Sequence, residues 1–214
     1  MTNNYEIIKP FLDFSDPDGF YVVSIVSRMK DNPEQKYFSE INVKTYVITT
    51  LEDLERQLGE METLCQVFNA RAWIYLNRRS FKKTKESMTK CLTENVKIKD
   101  PFDLRGLFLR SARFEGHYGT DTKWWFVDID PLPDKTVTTD DLSDSVAALK
   151  DVIISMGGGD FTVVPTKTGC HLVSKPFDYD SWKKMRSKEI RNLGSSYGVG
   201  FTLKKDAMLN LIVP

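Results

Sequence analysis

From residue 123 onward, the order of strand-like and helix-like segments leaves the chain few ways to fold. KWWFVDID (123–130) is rich in aromatic and β-branched residues and runs into Pro131 and Pro133, as a strand does at its end. Leu142, Val146, Leu149, Val152, Ile153 and Met156 recur at three- and four-residue steps, which predicts a helix over about 140–156, stopped by Gly157, Gly158 and Gly159. FTVVPT (161–166) and CHLVSKP (170–176) read as strands joined by a tight turn at Thr168–Gly169. A second helix follows at about 180–193, and FTLKK (201–205) and MLNLIVP (208–214) close the chain as strands. The order β-α-β-β-α-β, with one strand more at its end, fits a split β-α-β sheet packed by two helices.

The first half is patterned differently. FYVVSIVSRM (20–29), VKTYVIT (43–49) and RAWIYLN (71–77) are strand-like. Between the last two, Leu51, Leu54, Leu58, Met61, Leu64, Cys65 and Phe68 mark one face of a helix over 51–68. Thr50 suits its N-cap, and Glu52 and Asp53 suit the positive end of its dipole. Ser80 caps a basic helix reaching about residue 95; Pro101 breaks the pattern, and 100–123 reads as irregular or as a short helix. The expectation is an α/β (α+β) protein: an N-terminal α/β module over 1–120 packed on an RRM-like β-α-β-β-α-β module over 121–214, the two forming one compact unit.

Charge bounds the partners. Thirty Lys and Arg balance thirty Asp and Glu, so no global field draws the chain to nucleic acid. The charge is uneven, however. Arg78, Arg79, Lys82, Lys83, Lys85 and Lys90 crowd one stretch, and Lys183, Lys184, Arg186, Lys188 and Arg191 another. Each run suits either a solvated helix face or a surface facing phosphates. No segment approaches the ~18 unbroken apolar residues of a membrane span, and the N-terminus lacks a basic segment followed by an apolar one. The three cysteines are scattered and form no CxxC pair, which suits reduced thiols in a cytoplasmic, soluble protein.

Two segments carry chemistry. On a strand, residues two apart share a face, so Asp128 and Asp130 project together while Val127 and Ile129 face a core. Paired carboxylates repel, and Mg²⁺ or Mn²⁺ would relieve them; alternatively one caps the following turn and the other is solvated. In PTKTGCHLVSKPF, a glycine turn precedes His171, one of only two histidines. Lys167, Thr168, the Gly169 backbone, His171 and Lys175 offer cations, a hydroxyl and an imidazole for a triphosphate. Taken by itself, the segment reads more simply as a plain hairpin with a polar turn and a partly buried, hydrogen-bonded histidine.

A hydrophobic strand ending in Asp128-Ile129-Asp130, one helix, a strand, and a hairpin strand carrying Thr168-Gly169-Cys170-His171 together resemble the catalytic core of the archaeo-eukaryotic primase superfamily, including the primase-polymerases of phages and plasmids. The resemblance covers about residues 123–214; ARAWIYLNRRSFKK (70–83) is in addition similar to small phage proteins. It implies a metal-dependent nucleotidyltransferase in DNA replication, with Asp128, Asp130 and His171 catalytic and Asp128, Asp130 and Asp206 holding Mg²⁺ or Mn²⁺. Lys167, Thr168, Gly169, His171 and Lys175 would bind the triphosphate. Arg78, Arg79, Lys82 and Lys83 would bind nucleic acid. A helicase or other replication protein would act in trans, in the cytoplasm, the host's if the chain is phage-encoded. Two other readings stand beside it: a metal-dependent phosphodiesterase or nuclease, and a primase-like protein that binds nucleic acid or protein without catalysis.

Smaller signals remain. Trp124 and Trp125 suit core packing or base stacking. Arg105, Arg110, Arg113 and His117 precede the acidic strand, and Tyr75, Asn77 and Ser80 mark a strand-to-helix junction able to meet an anion.

Overall fold

The computed structural model describes residues 1–35, 38–94, 101–114, 123–186 and 188–214, with 101–105 as backbone only. It is an α+β fold of two antiparallel sheets.

The first sheet begins with β1 (Thr2–Asn3), followed by α1 (Tyr5–Ile8) and one 3₁₀ turn at Lys9–Phe11. Then come β2 (Gly19–Arg28), β3 (Glu40–Ile48), α2 (Leu51–Val67), β4 (Arg71–Tyr75), β5 (Arg79–Ser80), α3 (Phe81–Thr93) and α4 (Pro101–Arg113). Both predicted caps form: the Thr50 hydroxyl accepts from the Asp53 N–H and the Ser80 hydroxyl from the Lys83 N–H, each at 3.1 Å. α2 buries Leu54, Met61 and Cys65 against Ile25, Ala72 and Ile74, one face of the sheet. Because side chains alternate along a strand, Arg71, Trp73 and Tyr75 point the other way. At one end that opposite face is covered by α4, whose Ala112 packs with Phe20 and Val22.

The second sheet holds β6 (Trp125–Pro131), β7 (Thr162–Pro165), β8 (Cys170–Ser174) and β9 (Val199–Lys204) in the order β7-β8-β6-β9. Its helices are α5 (Thr139–Ser155), α6 (Tyr179–Arg186) and α7 (Glu189–Ser196). α5 starts with a capping box: Thr138 accepts from the Asp141 N–H while Asp141 accepts from the Thr138 N–H, closing two otherwise open donors. Val127 and Ile129 pack with Leu149, Ile153, Trp182 and Ile190 on the helical side. The single helix expected over 180–193 is two short ones.

The last strand departs from expectation. β10 (Met208–Val213) does not extend the second sheet but lies between β1 and β4 in the first, with Leu209 opposite Ile74 and Ile212 opposite Asn3. Leu209, Leu211 and Ile212 are fully buried in the first core, which is why the strand goes there. The boundary drawn at 120/121 is therefore crossed by the chain's own hydrogen bonding. α4 spans residues 101–113 where an irregular stretch or short helix was expected.

A candidate active cleft between the two sheets

β6 is a central strand, with β8 on one side and β9 on the other. Its pleat sends Val127 and Ile129 into the helical core and leaves Phe126, Asp128 and Asp130 on the opposite face. Asp128 stands across from His171 on β8 and Thr202 on β9; Asp130 stands across from Gly200. His171 Nε2 lies 3.1 Å from Asp128 Oδ1. Its ring packs on Phe126 at 4.7 Å between centroids, and it is only 6% exposed. This burial fixes which atoms of the imidazole can act: Nε2 meets the carboxylate, and Nδ1 is buried with no hydrogen-bond partner among the described residues.

The turn before His171 is drawn tight by Thr166, whose N–H donates to the Gly169 carbonyl and whose hydroxyl accepts from the Gly169 N–H, both at 3.0 Å. A Cβ on Gly169 would sit 1.9 Å from the Ile129 carbonyl oxygen. Glycine here lets the turn press against the end of the acidic strand, so packing alone requires it at a place where the sequence pattern suggests a phosphate cradle.

Facing this sheet is the uncovered end of the first one. Arg28, Lys30, Arg71, Trp73 and Tyr75 line the other wall of the same cleft, and Lys204 of β9 closes one side. The cleft holds about 410 Å³, within the range of small-molecule sites. Asp130 is exposed to the cleft, yet partial desolvation by the atoms around it and the negative charge of Asp128 push its carboxyl above the usual range, against the pull of Lys30, His171 and Arg71. On the core side, burial and the same two carboxylates push the Cys170 thiol up to about 11.

A third aspartate, Asp206, lines the cleft, and a fourth, Asp31, is bonded to the Arg71 of its wall; both are saturated. Asp206, expected as a third metal ligand, accepts from Arg79 Nη1 at 2.8 Å and Nη2 at 2.9 Å and from Asn77 Nδ2 at 3.2 Å. Its side chain is 4% exposed and that of Arg79 is fully buried, so the pair is an internal clamp. Asp31 accepts from Arg71 Nε and Nη2, each at 2.8 Å, and from Lys167 Nζ at 3.1 Å. Burial alone would raise the Asp31 carboxyl, but these bonds outweigh it and hold it below its ordinary value.

Asp128, Asp130, His171 and Thr168 thus converge on one cleft. Lys167 is instead turned to Asp31, and Lys175 pairs with Asp160 past the far end of β8. Arg78 and Arg79 correct the expected nucleic-acid surface: Arg78 is buried and bonded to Asp13, and Arg79 is inside the protein. Lys82 and Lys83 are exposed on α3 and do not line the cleft. Trp124 packs on Phe11 and Trp125 on Phe177, so both are core residues in the main. Asn77 holds the start of β6 in place, donating to the Trp124 carbonyl and accepting from its N–H. Arg113 donates to the Ser24 hydroxyl; His117 and the side chain of Arg105 lie outside the described residues.

Sequence reasoning missed Arg28, Lys30, Arg71 and Lys204. For Arg71 the signal was present: it alternates with Ala72 and Ile74, as Trp73 and Tyr75 do, and so shares their face. Among the described residues, no group of three or more His, Cys, Asp and Glu side chains is arranged to hold a metal ion. None of the helices described is long and apolar enough to cross a membrane. Comparison with protein-family models, curated proteins and solved structures finds no match.

Proposed function

We propose that the protein is a metal-dependent nucleotidyltransferase of the primase-polymerase kind, adding nucleotides from a nucleoside triphosphate to a nucleic-acid strand. One observation carries this reading: two carboxylates without an arginine or lysine ion-pair partner among the described residues face three cations across a nucleotide-sized cleft, with Lys204 of the neighbouring strand at its side. Mg²⁺ characteristically binds through one or two carboxylates together with water and substrate phosphates, so Asp128 and Asp130 suffice as protein ligands without Asp206. A metal held there would neutralise charge developing on the transferred phosphoryl group.

The chain's own side chains do the rest. Arg28, Lys30, Arg71 and Lys204 hold triphosphate oxygens, with the Arg71 fork kept in place by Asp31. Thr168 offers a hydroxyl donor at the turn. His171, held by Phe126, fixes the orientation of the Asp128 carboxylate, where the resemblance would have it contact the triphosphate. The three free cysteines suit a reducing cytoplasm.

The test is incorporation of labelled deoxynucleotides and ribonucleotides on primed and unprimed single strands with Mg²⁺ or Mn²⁺. Extension that is metal-dependent and falls at least about 100-fold in Asp128→Ala supports the proposal. Strand cleavage in place of extension would replace it with the nuclease reading. Neither activity, together with an Mg²⁺ effect on thermal stability that is equal in wild type and Asp128→Ala, would leave a binding protein.

A further inference from the structure

A second cleft, of about 380 Å³, adjoins the first. The two share Lys204, Asp206 and Ala207 at the β9–β10 turn, which forms their common border. Beyond that turn the lining is cationic and aromatic: Lys183 and Arg186 from α6, Lys205 from the turn, and Tyr179. Lys205 Nζ sits 3.0 Å from the Tyr179 ring centroid and 5.4 Å from that of Trp125, which holds its charge at the surface of an aromatic shelf. Among the described residues the one acid in the lining, Asp206, has its carboxylate committed to Arg79 and Asn77, so it does not cancel this charge. Lys183 and Arg186 are exposed. They belong to the second basic run of the sequence, which the catalytic reading leaves without a role.

We infer that this shelf binds single-stranded nucleic acid and guides the strand across the β9–β10 turn into the catalytic cleft. A row of cations along a groove tracks a phosphate backbone, and an aromatic ring beside it gives a base a face to stack on. The inference rests on the nucleotidyltransferase reading for what happens at the strand's end, but not for binding itself. It also moves the nucleic-acid surface from the start of α3, where Arg78 and Arg79 are internal, to α6 and the β9–β10 turn.

The experiment is equilibrium binding of a fluorescent single-stranded oligonucleotide to the full chain, measured by anisotropy over a series of salt concentrations without triphosphate. The double variant Lys183→Ala/Arg186→Ala alters two exposed side chains, and its melting temperature serves as the folding control. The expected result is affinity weaker by about tenfold at low salt and a log–log salt slope shallower by roughly 1.4, at about 0.7 for each phosphate no longer neutralised. A Lys82→Ala/Lys85→Ala variant on α3 should keep the wild-type slope. Unchanged affinity and slope in the α6 variant would overturn the inference. So would poly-glutamate of equal charge binding as tightly and weakening equally in that variant, which would mark the shelf as a seat for acidic protein segments. Because binding is read without catalysis, a protein that binds strands here but extends none would sink the enzymatic reading alone.

Discussion

Asp31 and Asp206 are each gripped by an arginine through two hydrogen bonds, whereas Asp128 and Asp130 face the cleft they border with only an imidazole between them. The chain therefore has the means to neutralise an acid in this neighbourhood and withholds it from the β6 pair. A carboxylate that serves the fold is given a guanidinium, whose planar fork satisfies both oxygens at once. A carboxylate left against another carboxylate raises the folded state's energy unless a cation arrives from outside. The contrast separates clamped acids from cleft-facing acids more sharply than their positions in the sequence do.

The largest effect should come from breaking a clamp. Arg79→Ala strands the buried Asp206 charge, and the expected loss is about 3–5 kcal/mol of unfolding free energy, or roughly 10 °C in melting temperature for a chain of this size. Removing both partners, as in Arg79→Met/Asp206→Leu, should restore much of that in chemical denaturation, since no charge is then left alone. If the double variant is no better than the single one, the clamp is not what holds this region.

Arg71→Ala should cost less, about 2 kcal/mol, because Lys167 remains bonded to Asp31. It should also weaken triphosphate binding, which Arg79→Ala would not do directly, so the two variants measured side by side divide the framework role from the ligand-facing one.

The smallest effect is opposite in sign. Asp130→Asn should raise the melting temperature at neutral pH by about 1–2 °C, since a carboxylate still open to the cleft is screened by water. Its ordinary value is raised in the folded state, so ionisation destabilises the fold. The gain from the variant is complete above the raised folded value, shrinks as pH falls through it, and vanishes below the unfolded value of about 3.9. A gain that grew on acidification would contradict the assignment.

The acidic pair was legible because a period of two along one strand is local information. So were the Thr50 and Ser80 caps, which involve residues three apart. The clamps were not: Arg79 meets Asp206 across 127 positions, and nothing near either residue announces the other. Arg78 and Arg79 read as surface because they lead into a basic helix, yet β5 pins Arg79 beside β2, and acids distant in sequence make the burial of both tolerable. β10 was recognised as a strand but given to the wrong sheet, because its apolar pattern specifies burial without naming the partner. The cleft's cationic wall was hidden for a similar reason: Arg28 and Arg71 come from strands distant from β6, and only the packing of one sheet against the other brings them opposite Asp128.

The return of β10 to the first sheet also sets the order in which the protein can be finished. β4 keeps an unfilled edge until residues 208–213 are available, and Thr2 has no partner until Val213 arrives. During synthesis, everything from α3 to β9 must emerge before the first sheet can close. A nascent chain halted anywhere short of that point carries an open strand edge, which invites pairing with a neighbour.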